Sequence, residues 1–221
     1  MRRHDATSPY YPILLNIQGK KCLVVGGGEV ALRKAQTLVE HGATVEIVSP
    51  NFCPELNELE KNGAIRVIQK DYEPENLNGA LLVVAATDDT SVNEKVAAEA
   101  RKIGILVNVV DKPAISDFIV PSYFRHGDII VAVSTSGKSP ALARKIRYEL
   151  QRDLKAEYAQ LAVIASEVRG ELKQQGVAVS GDDWQEVLNL NSLIELIRRR
   201  KNNEAREIML TKLKTLGKRK T

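Results

Sequence analysis

The chain has 221 residues, of which 43% are hydrophobic and 27% charged, so it is long enough to bury a core and has an ordinary globular composition. No run is long and apolar enough to span a bilayer, and the charged first residues precede no apolar segment of the kind that a secretory signal needs. The sequence therefore predicts a cytoplasmic protein without a membrane partner.

The formal net charge of +4 is unevenly distributed along the chain. Residues 1–112 are slightly acidic, whereas residues 113–221 carry a clear excess of Lys and Arg. A basic half indicates either an anionic ligand or a solvated helical surface. The basic residues do not alternate with aromatic ones and no nucleic-acid reader motif is present, so we expect no nucleic-acid partner.

The few cysteines and histidines argue against a resident metal. Cys22 lies within the first apolar run, where a buried thiol acts as a small hydrophobic group. Cys53 has no Cys or His nearby at metal-ligand spacing, and the histidines His4, His41 and His126 are scattered. We therefore expect neither a zinc site nor an iron–sulfur cluster.

In chain order, the first half alternates between apolar runs typical of strands and amphipathic stretches typical of helices. The apolar runs occupy residues 22–25, 45–48, 65–68, 81–86 and 105–110. Continuous apolar strands separated by helices predict a parallel sheet that is covered on both faces. Right-handed crossovers make this an α/β, Rossmann-like doubly wound unit, with its ligand beyond the carboxyl ends of the strands.

The pattern changes after Asp111. Residues 118–120 and 129–133 resemble short strands around a loop, and Ser139 followed by Pro140 is typical of a helix start. Beyond about residue 149 the chain is predicted to be helical, and Asp182 or Asp183 is expected to cap a helix after a break at 176–183. Two stripes at helical spacing are predicted to be buried: Leu161, Ile164, Val168 and Leu172, then Val187, Leu190, Ile194 and Ile197.

These patterns predict three parts. Residues 1–112 form the Rossmann-like domain, residues 113–149 form a small mixed segment, and residues 150–221 form a C-terminal helical domain.

The segment KKCLVVGGGEVALRK, residues 20–34, carries the clearest functional pattern. Gly26, Gly28 and Ala31 fit the spacing G-x-G-x-x-G/A of a dinucleotide-binding turn between a strand and a helix. The first glycine allows the tight turn, the second lets the backbone approach a pyrophosphate, and the small third residue lets helix and strand pack closely. The alternative is a tight turn with a purely structural role.

The second strand ends in Ser49, Pro50 and Asn51, where a typical NAD site has an acidic residue that holds the ribose hydroxyls. Glu46 lies in the middle of the strand, and no arginine follows that could bind the 2′-phosphate of NADP. This position therefore leaves the choice between NAD and NADP open.

The fourth strand ends in small residues that let a cofactor lie against the backbone. Ala86 and Thr87 are candidate cofactor contacts, and Thr87 also has a hydroxyl for hydrogen bonding. Asp88 and Asp89 follow, and each fits a cofactor contact as well as a cap on the next helix.

The fifth strand leads to Asp111, which is the candidate catalytic residue. A carboxylate at the carboxyl end of this strand would project into the ligand crevice, where it can take or give a proton. The structural alternative is a turn residue before Lys112 and Pro113. Asn108, on the same strand, is a candidate substrate contact.

Residues 134–139 form a further candidate binding loop. Hydroxyls, a glycine, a lysine and a helix start together suit an anion, although the Walker spacing is absent. An ordinary serine-rich connection fits the same residues. The candidate contacts are Ser134, Thr135, Ser136 and Lys138.

Taken together, GGGEVALRK, AATDD, NVVDKP, FIVPS and STSGKSPALA resemble the precorrin-2 dehydrogenase family, which includes the N-terminal part of siroheme synthase and stand-alone dehydrogenase/ferrochelatases. The resemblance runs from about residue 11 to residue 150. It implies NAD-dependent oxidation of precorrin-2 to sirohydrochlorin, with siroheme as the usual end product, by a homodimer whose interface includes the segment after Asp111.

The resemblance also implies roles for particular residues. The family's functional aspartate aligns with Asp111, and family cofactor contacts align with Glu29, Val30, Pro50 and Asn51. The carboxylates of precorrin-2 suit the basic second half and the loop at 134–139.

Two alternatives remain open from the sequence. A bifunctional enzyme would also insert Fe²⁺ or Co²⁺ into sirohydrochlorin, with Asp111 and His126 as candidates for handling the metal or the pyrrole protons. A nucleotide-sensing regulatory module would share the glycine turn and the parallel strands, but it would need neither NVVDKP nor the loop at 134–139.

Overall fold

The computed structural model describes residues 10–218. Residues 1–9, on which the expectation of no secretory signal partly rests, and residues 219–221 lie outside the described part. The chain divides into two compact units, the first ending at Val120 and the second beginning at Pro121. The finer division into three parts stays a prediction.

The first unit is built around a five-stranded parallel sheet with the strand order β3-β2-β1-β4-β5. The order reverses between β1 and β4, which creates a crevice at the carboxyl ends of these strands. This topology confirms the predicted Rossmann-like fold. The strands are β1 (Lys21–Val25), β2 (Thr44–Ser49), β3 (Ile65–Gln69), β4 (Leu82–Ala85) and β5 (Leu106–Val109), and the helices are α1 (Glu29–Glu40), α2 (Pro54–Lys61) and α3 (Thr90–Lys102).

Each face of the sheet has its own core because neighbouring residues of a strand point to opposite faces. Cys22 and Val24 of β1 pack with residues of α1 and α2. Leu23 and Val25 pack on the other side, with residues of α3. Burial raises the pKa of the Cys22 thiol to about 11, so this side chain stays a neutral, hydrophobic group as predicted.

The predicted strand at residues 118–120 is wrong. The carbonyl of Phe118 accepts a hydrogen bond of 2.9 Å from the side chain of Asn108, so this stretch lies beside β5. Pro121 follows and has no N–H for a sheet ladder. The strand β6 begins after it, at Ser122–His126, and pairs in antiparallel fashion with β7, Ile129–Val133.

The second unit consists of this hairpin and five helices: α4 (Pro140–Asp153), α5 (Glu157–Gln174), α6 (Gly181–Val187), α7 (Leu190–Arg198) and α8 (Asn202–Lys218). Helix α4 packs on the hairpin, and the other four helices share one core. Within residues 10–218, no helix is long and apolar enough to cross a membrane.

The helical core agrees with the first predicted stripe and corrects the second. Leu190 is 45% exposed, and Leu193 is buried instead. The reason is a break in the chain, because α6 ends at Val187 and the side chain of Asn189 caps α7 by accepting from Ser192 N at 3.3 Å. The predicted cap of α6 is also shifted, since Ser180 is the N-cap and Asp183 completes a capping box with it.

Leu193 and Leu190 provide a matched test of the helical core. We expect Leu193→Ala to lower the free energy of unfolding by about 2–5 kcal/mol, because it leaves a cavity among tightly packed side chains. Leu190→Ala should cost about 1 kcal/mol or less, because Leu190 is largely solvated. Urea denaturation followed by circular dichroism measures both, and equal losses would contradict the described packing.

Candidate functional site

A cleft of about 730 Å³ lies at the carboxyl ends of β1, β2 and β4. Its walls come from the glycine turn, the segment after β2 and the segment after β4. The structure brings all the predicted cofactor-binding residues together here: Gly26, Gly28, Glu29, Val30, Ser49, Pro50, Asn51, Ala86 and Thr87.

The glycine turn is tightly enclosed by its neighbours. A Cβ atom on Gly26, whose φ is +129°, would lie 2.4 Å from the carbonyl oxygen of Ala86, and one on Gly27 would lie 1.8 Å from that of Asn51. Main-chain hydrogen bonds join the same segments, from Gly26 N to Val48 O at 2.9 Å and from Cys53 N to Gly27 O at 2.8 Å. Only glycine fits at 26 and 27. The spacing pattern missed Gly27 because it treats that position as variable.

Gly28 differs from its neighbours because no heavy atom lies within 4 Å of a Cβ built on it. It is also the N-cap of α1 and offers no side-chain acceptor, so the first amides of the helix are left for a bound anion. Open space beside unpaired helix amides is what a dinucleotide pyrophosphate needs. The residues of the turn therefore fit the predicted cofactor.

The charges in the cleft bear on the choice of cofactor. Glu46 forms ion pairs with Lys21 at 2.8 Å and Arg66 at 3.1 Å, so its carboxylate is engaged within the sheet. The side chains that line the cleft include one cation, Lys95, and four acids: Glu29, Asp71, Asp88 and Asp89. An acidic cleft disfavours the additional 2′-phosphate of NADP.

The turn after β4 is held by Asn93, a buried residue of α3 whose role was not predicted from the sequence. Asn93 Oδ1 accepts from Thr87 N at 3.2 Å and from Thr87 Oγ1 at 2.9 Å, and Asn93 Nδ2 donates to Thr87 O at 2.8 Å. Asp89 is the cap of α3, and hydrogen bonds from Ser91 and Val92 lower the pKa of its carboxyl group. Asp88 lines the cleft.

A further wall of the cleft, not predicted from the sequence, comes from the segment after β3 and from α3. Asp71, Tyr72 and Lys95 line the cleft. The hydroxyl of Tyr72 donates to Glu99 Oε2 at 2.9 Å, and Lys95 Nζ lies 5.7 Å from the centre of the tyrosine ring. Burial and the Glu99 carboxylate raise the pKa of Tyr72, so it stays a neutral donor.

Asp111 lies in the turn after β5 and has φ 59°, a left-handed conformation in which a residue with a side chain is strained. It is exposed and does not line the cleft. Ser116 Oγ fixes the turn by accepting from Val109 N at 2.9 Å and donating to Lys112 O at 3.0 Å. Burial and the neighbouring Arg33 lower the pKa of Lys34, whereas the charge of Asp111 opposes this shift, so Lys34 interacts electrostatically with Asp111.

The predicted substrate contacts fall into both units. Asn108 belongs to the first unit and is buried. The others are in the second unit, in the turn before α4, where Ser139 caps the helix by accepting from Leu142 N at 3.2 Å. Ser134 Oγ accepts from Ser136 N at 3.0 Å and Thr135 Oγ1 from Ser139 N at 2.9 Å, while Lys138 is exposed.

The candidates for metal chemistry do not form a cluster in the described part of the chain. Among residues 10–218, no group of three or more His, Cys, Asp or Glu side chains could hold a metal ion. His126 is at the end of β6, with its ring centre 5.4 Å from that of Phe124, and its Nδ1 is buried without a hydrogen-bond partner in residues 10–218.

Comparison with known proteins identifies the family. The profile of a family described as putative NAD(P)-binding matches residues 13–122, and that of the sirohaem biosynthesis protein central domain matches residues 127–152. Siroheme synthase of Nitrosomonas eutropha is 44% identical over 166 residues, which are 75% of this chain and 35% of that protein. Siroheme synthase of Nitrosococcus oceani is 40% identical over 198 residues, 89% of this chain and 42% of that protein.

A solved structure extends the likeness to the fold. The structure of SirC, precorrin-2 dehydrogenase, is 28% identical, has a TM-score of 0.65, and matches over 93% of this chain and 100% of that chain. The chain belongs to the siroheme synthase and precorrin-2 dehydrogenase family. The NAD(P)-binding profile confirms that the first unit is of the predicted dinucleotide-binding kind. The chain spans only 35–42% of the length of these siroheme synthases.

Gly27 and Gly28 should respond differently to a methyl group, because only a Cβ on Gly27 would overlap the backbone. Gly27→Ala should lower the free energy of unfolding by about 3 kcal/mol or more, because its Cβ would overlap a backbone carbonyl. Gly28→Ala should change stability by about 1 kcal/mol or less. It should nevertheless weaken NAD binding by about tenfold or more, because the methyl group occupies the pyrophosphate's approach.

Thermal unfolding and calorimetric NAD titration separate these two effects. Unchanged NAD affinity in Gly28→Ala would contradict the assignment of this turn as the pyrophosphate cradle.

Proposed function

We propose that the chain is an NAD-dependent precorrin-2 dehydrogenase, which oxidises precorrin-2 to sirohydrochlorin in siroheme biosynthesis. The observation that carries this proposal is the match of nearly the whole chain to SirC, precorrin-2 dehydrogenase, together with a complete dinucleotide cleft in the first unit. The curated relatives, named siroheme synthase, support the same pathway.

The cleft favours NAD over NADP. Its pyrophosphate would be held by the open backbone at Gly28 and by the first amides of α1. Its adenosine end would meet Asn51 and the acidic wall, where a 2′-phosphate is repelled.

Asp111 is the proposed proton acceptor. The cleft would hold NAD, which would supply the hydride acceptor for the oxidation of precorrin-2. The substrate also loses a proton, and the carboxylate of Asp111 takes it or passes it to water. The hydrogen bonds of Ser116 on both sides of this turn keep the backbone of Asp111 in its strained conformation, so the carboxylate needs little reorganisation.

The turn before α4 would bind the carboxylates of the substrate. Ser134, Ser136 and Lys138 are exposed, and Lys138 makes no ion pair within residues 10–218. The hydroxyl protons, the ammonium group and the N-terminus of α4 all suit anions. In the first unit, Asn108 would serve the substrate indirectly, by holding the segment at 118 through its hydrogen bond to Phe118 O.

We also propose that the active protein is a homodimer that joins through the second unit. Leu142, Ile146 and Leu150 recur at four-residue spacing on α4 and are 51%, 37% and 42% exposed. Ile130 of the adjoining hairpin is 40% exposed. An apolar stripe of this kind is typical of a surface that a second copy covers.

The remaining predictions are coarser. We propose a cytoplasmic location, which suits a biosynthetic enzyme.

The bifunctional alternative, with metal insertion into sirohydrochlorin, stays a prediction. It is tested by incubating the protein with sirohydrochlorin and Fe²⁺ or Co²⁺ without NAD. A sensor module would bind NAD and leave precorrin-2 unchanged, so the absorption spectrum of the tetrapyrrole distinguishes it from a dehydrogenase.

Asp111→Asn tests the catalytic assignment. Asparagine adopts the left-handed conformation as readily as aspartate, so fold and NAD affinity should be retained. Turnover should fall by about 100-fold or more, because the amide does not accept the proton. Asp153→Asn, at an exposed ion pair of α4, is the control and should keep its activity. Turnover of precorrin-2 by Asp111→Asn at the wild-type rate would refute the role.

The double variant Leu142→Glu/Ile146→Glu tests the dimer. Both side chains are exposed, so the protomer should still fold, whereas two charges would be unfavourable in an apolar interface. We expect sedimentation to show a monomer. Val163→Glu, which alters a half-exposed residue of α5, should remain dimeric. A dimeric double variant would contradict an interface at α4.

A further inference from the structure

A second concave site, open to solvent, lies wholly within the second unit, between α5, the segment at 177–179 and α6. Its volume is about 730 Å³, the same as that of the dinucleotide cleft. We call it the basic pocket. Its lining consists of Ala162, Ala165, Ser166, Arg169, Leu172, Lys173, Val177, Ala178, Val179, Gly181 and Trp184.

All charged side chains that line the basic pocket are positive. Arg169 and Lys173 are its charged lining residues, and no acidic side chain is among them. Neither forms an ion pair within the described residues, whereas Arg206 and Lys214 in the same helical core both pair with Glu171. Two uncompensated cations one helical turn apart create a positive potential that attracts an anion.

The remaining lining is suited to a flat, apolar group. Trp184 is the single tryptophan of the chain, and its half-buried indole forms one wall. Val177 and Val179 supply apolar surface, and Ser166 adds an exposed hydroxyl. An indole face is a good stacking surface for a conjugated ring.

The concavity follows from the sequence of α5. One face of this helix carries the large buried residues of the core, such as Leu161, Ile164 and Val168. The neighbouring face has alanine at positions 162 and 165, and a Cβ built on Gly181 opposite meets no heavy atom within 4 Å. The small residues on both sides therefore create the concave surface, and the exposed side chains of Arg169 and Lys173 border it.

We propose that the basic pocket binds a flat, conjugated organic anion, with the ring against Trp184 and its carboxylate or phosphate groups on Arg169 and Lys173. This chemistry has two sources, a tetrapyrrole carboxylate or a nucleotide. The site is separate from the dinucleotide cleft, and it lies beyond residue 152, where the matched family profiles end. The binding does not depend on dehydrogenase activity.

Calorimetric titration of the full chain, with NAD at saturating concentration, tests the proposal with two probes. Uroporphyrin represents the tetrapyrrole carboxylates, and ADP represents the nucleotides, while NAD blocks the first cleft. We compare Arg169→Gln/Lys173→Gln with the matched control Lys155→Gln/Lys212→Gln, which removes two exposed charges from the same unit outside the pocket.

We expect one probe to bind the wild type and the control equally, and to bind Arg169→Gln/Lys173→Gln about tenfold more weakly or worse. The probe that behaves in this way identifies the source of the ligand. Trp184→Phe should weaken the same probe by about threefold, because the smaller ring stacks over less area. All three variants should keep the wild-type rate of precorrin-2 oxidation.

Two results would overturn the proposal. One is that neither probe binds the wild-type protein in the presence of NAD. The other is that a probe binds both double variants with equal affinity, which would locate it at a different site, such as the one that serves the dehydrogenase reaction.

Discussion

The absence of two Cβ atoms determines the geometry of the first unit. The carboxyl ends of β1, β2 and β4 approach so closely at Gly26 and Gly27 that a methyl group on either would overlap the backbone of Ala86 or Asn51. This contact brings three separate segments to one cleft and directs the start of α1 towards it. Gly28, in contrast, has open space beside it, because no heavy atom lies within 4 Å of a Cβ built there.

Much of the cleft could be predicted because its residues directly follow strands, and parallel strands bring their carboxyl ends to one edge. Tyr72 and Asn93 could not, because their contributions depend on tertiary contacts. Asn93 is indistinguishable in sequence from a solvated helix residue until its amide meets Thr87. The predicted burial of Leu190 was wrong for a related reason. The periodicity suggested one continuous apolar stripe, whereas the helix breaks after Val187 and Asn189 caps a new helix, α7.

The dinucleotide cleft and the basic pocket present positive charge in two different ways. In the dinucleotide cleft, acidic side chains predominate, and the main-chain amides of a helix supply the positive end. In the basic pocket, the positive charge comes from the long, flexible side chains of Arg169 and Lys173.

Asp111 illustrates how folding and chemistry constrain a position differently. Its left-handed backbone is compatible with glycine, asparagine or aspartate, and folding alone has no strong reason to prefer the last of these. Neutral drift would therefore exchange the three freely if only stability were selected. A library randomised at position 111 would therefore separate the residues that folding accepts from those that support turnover.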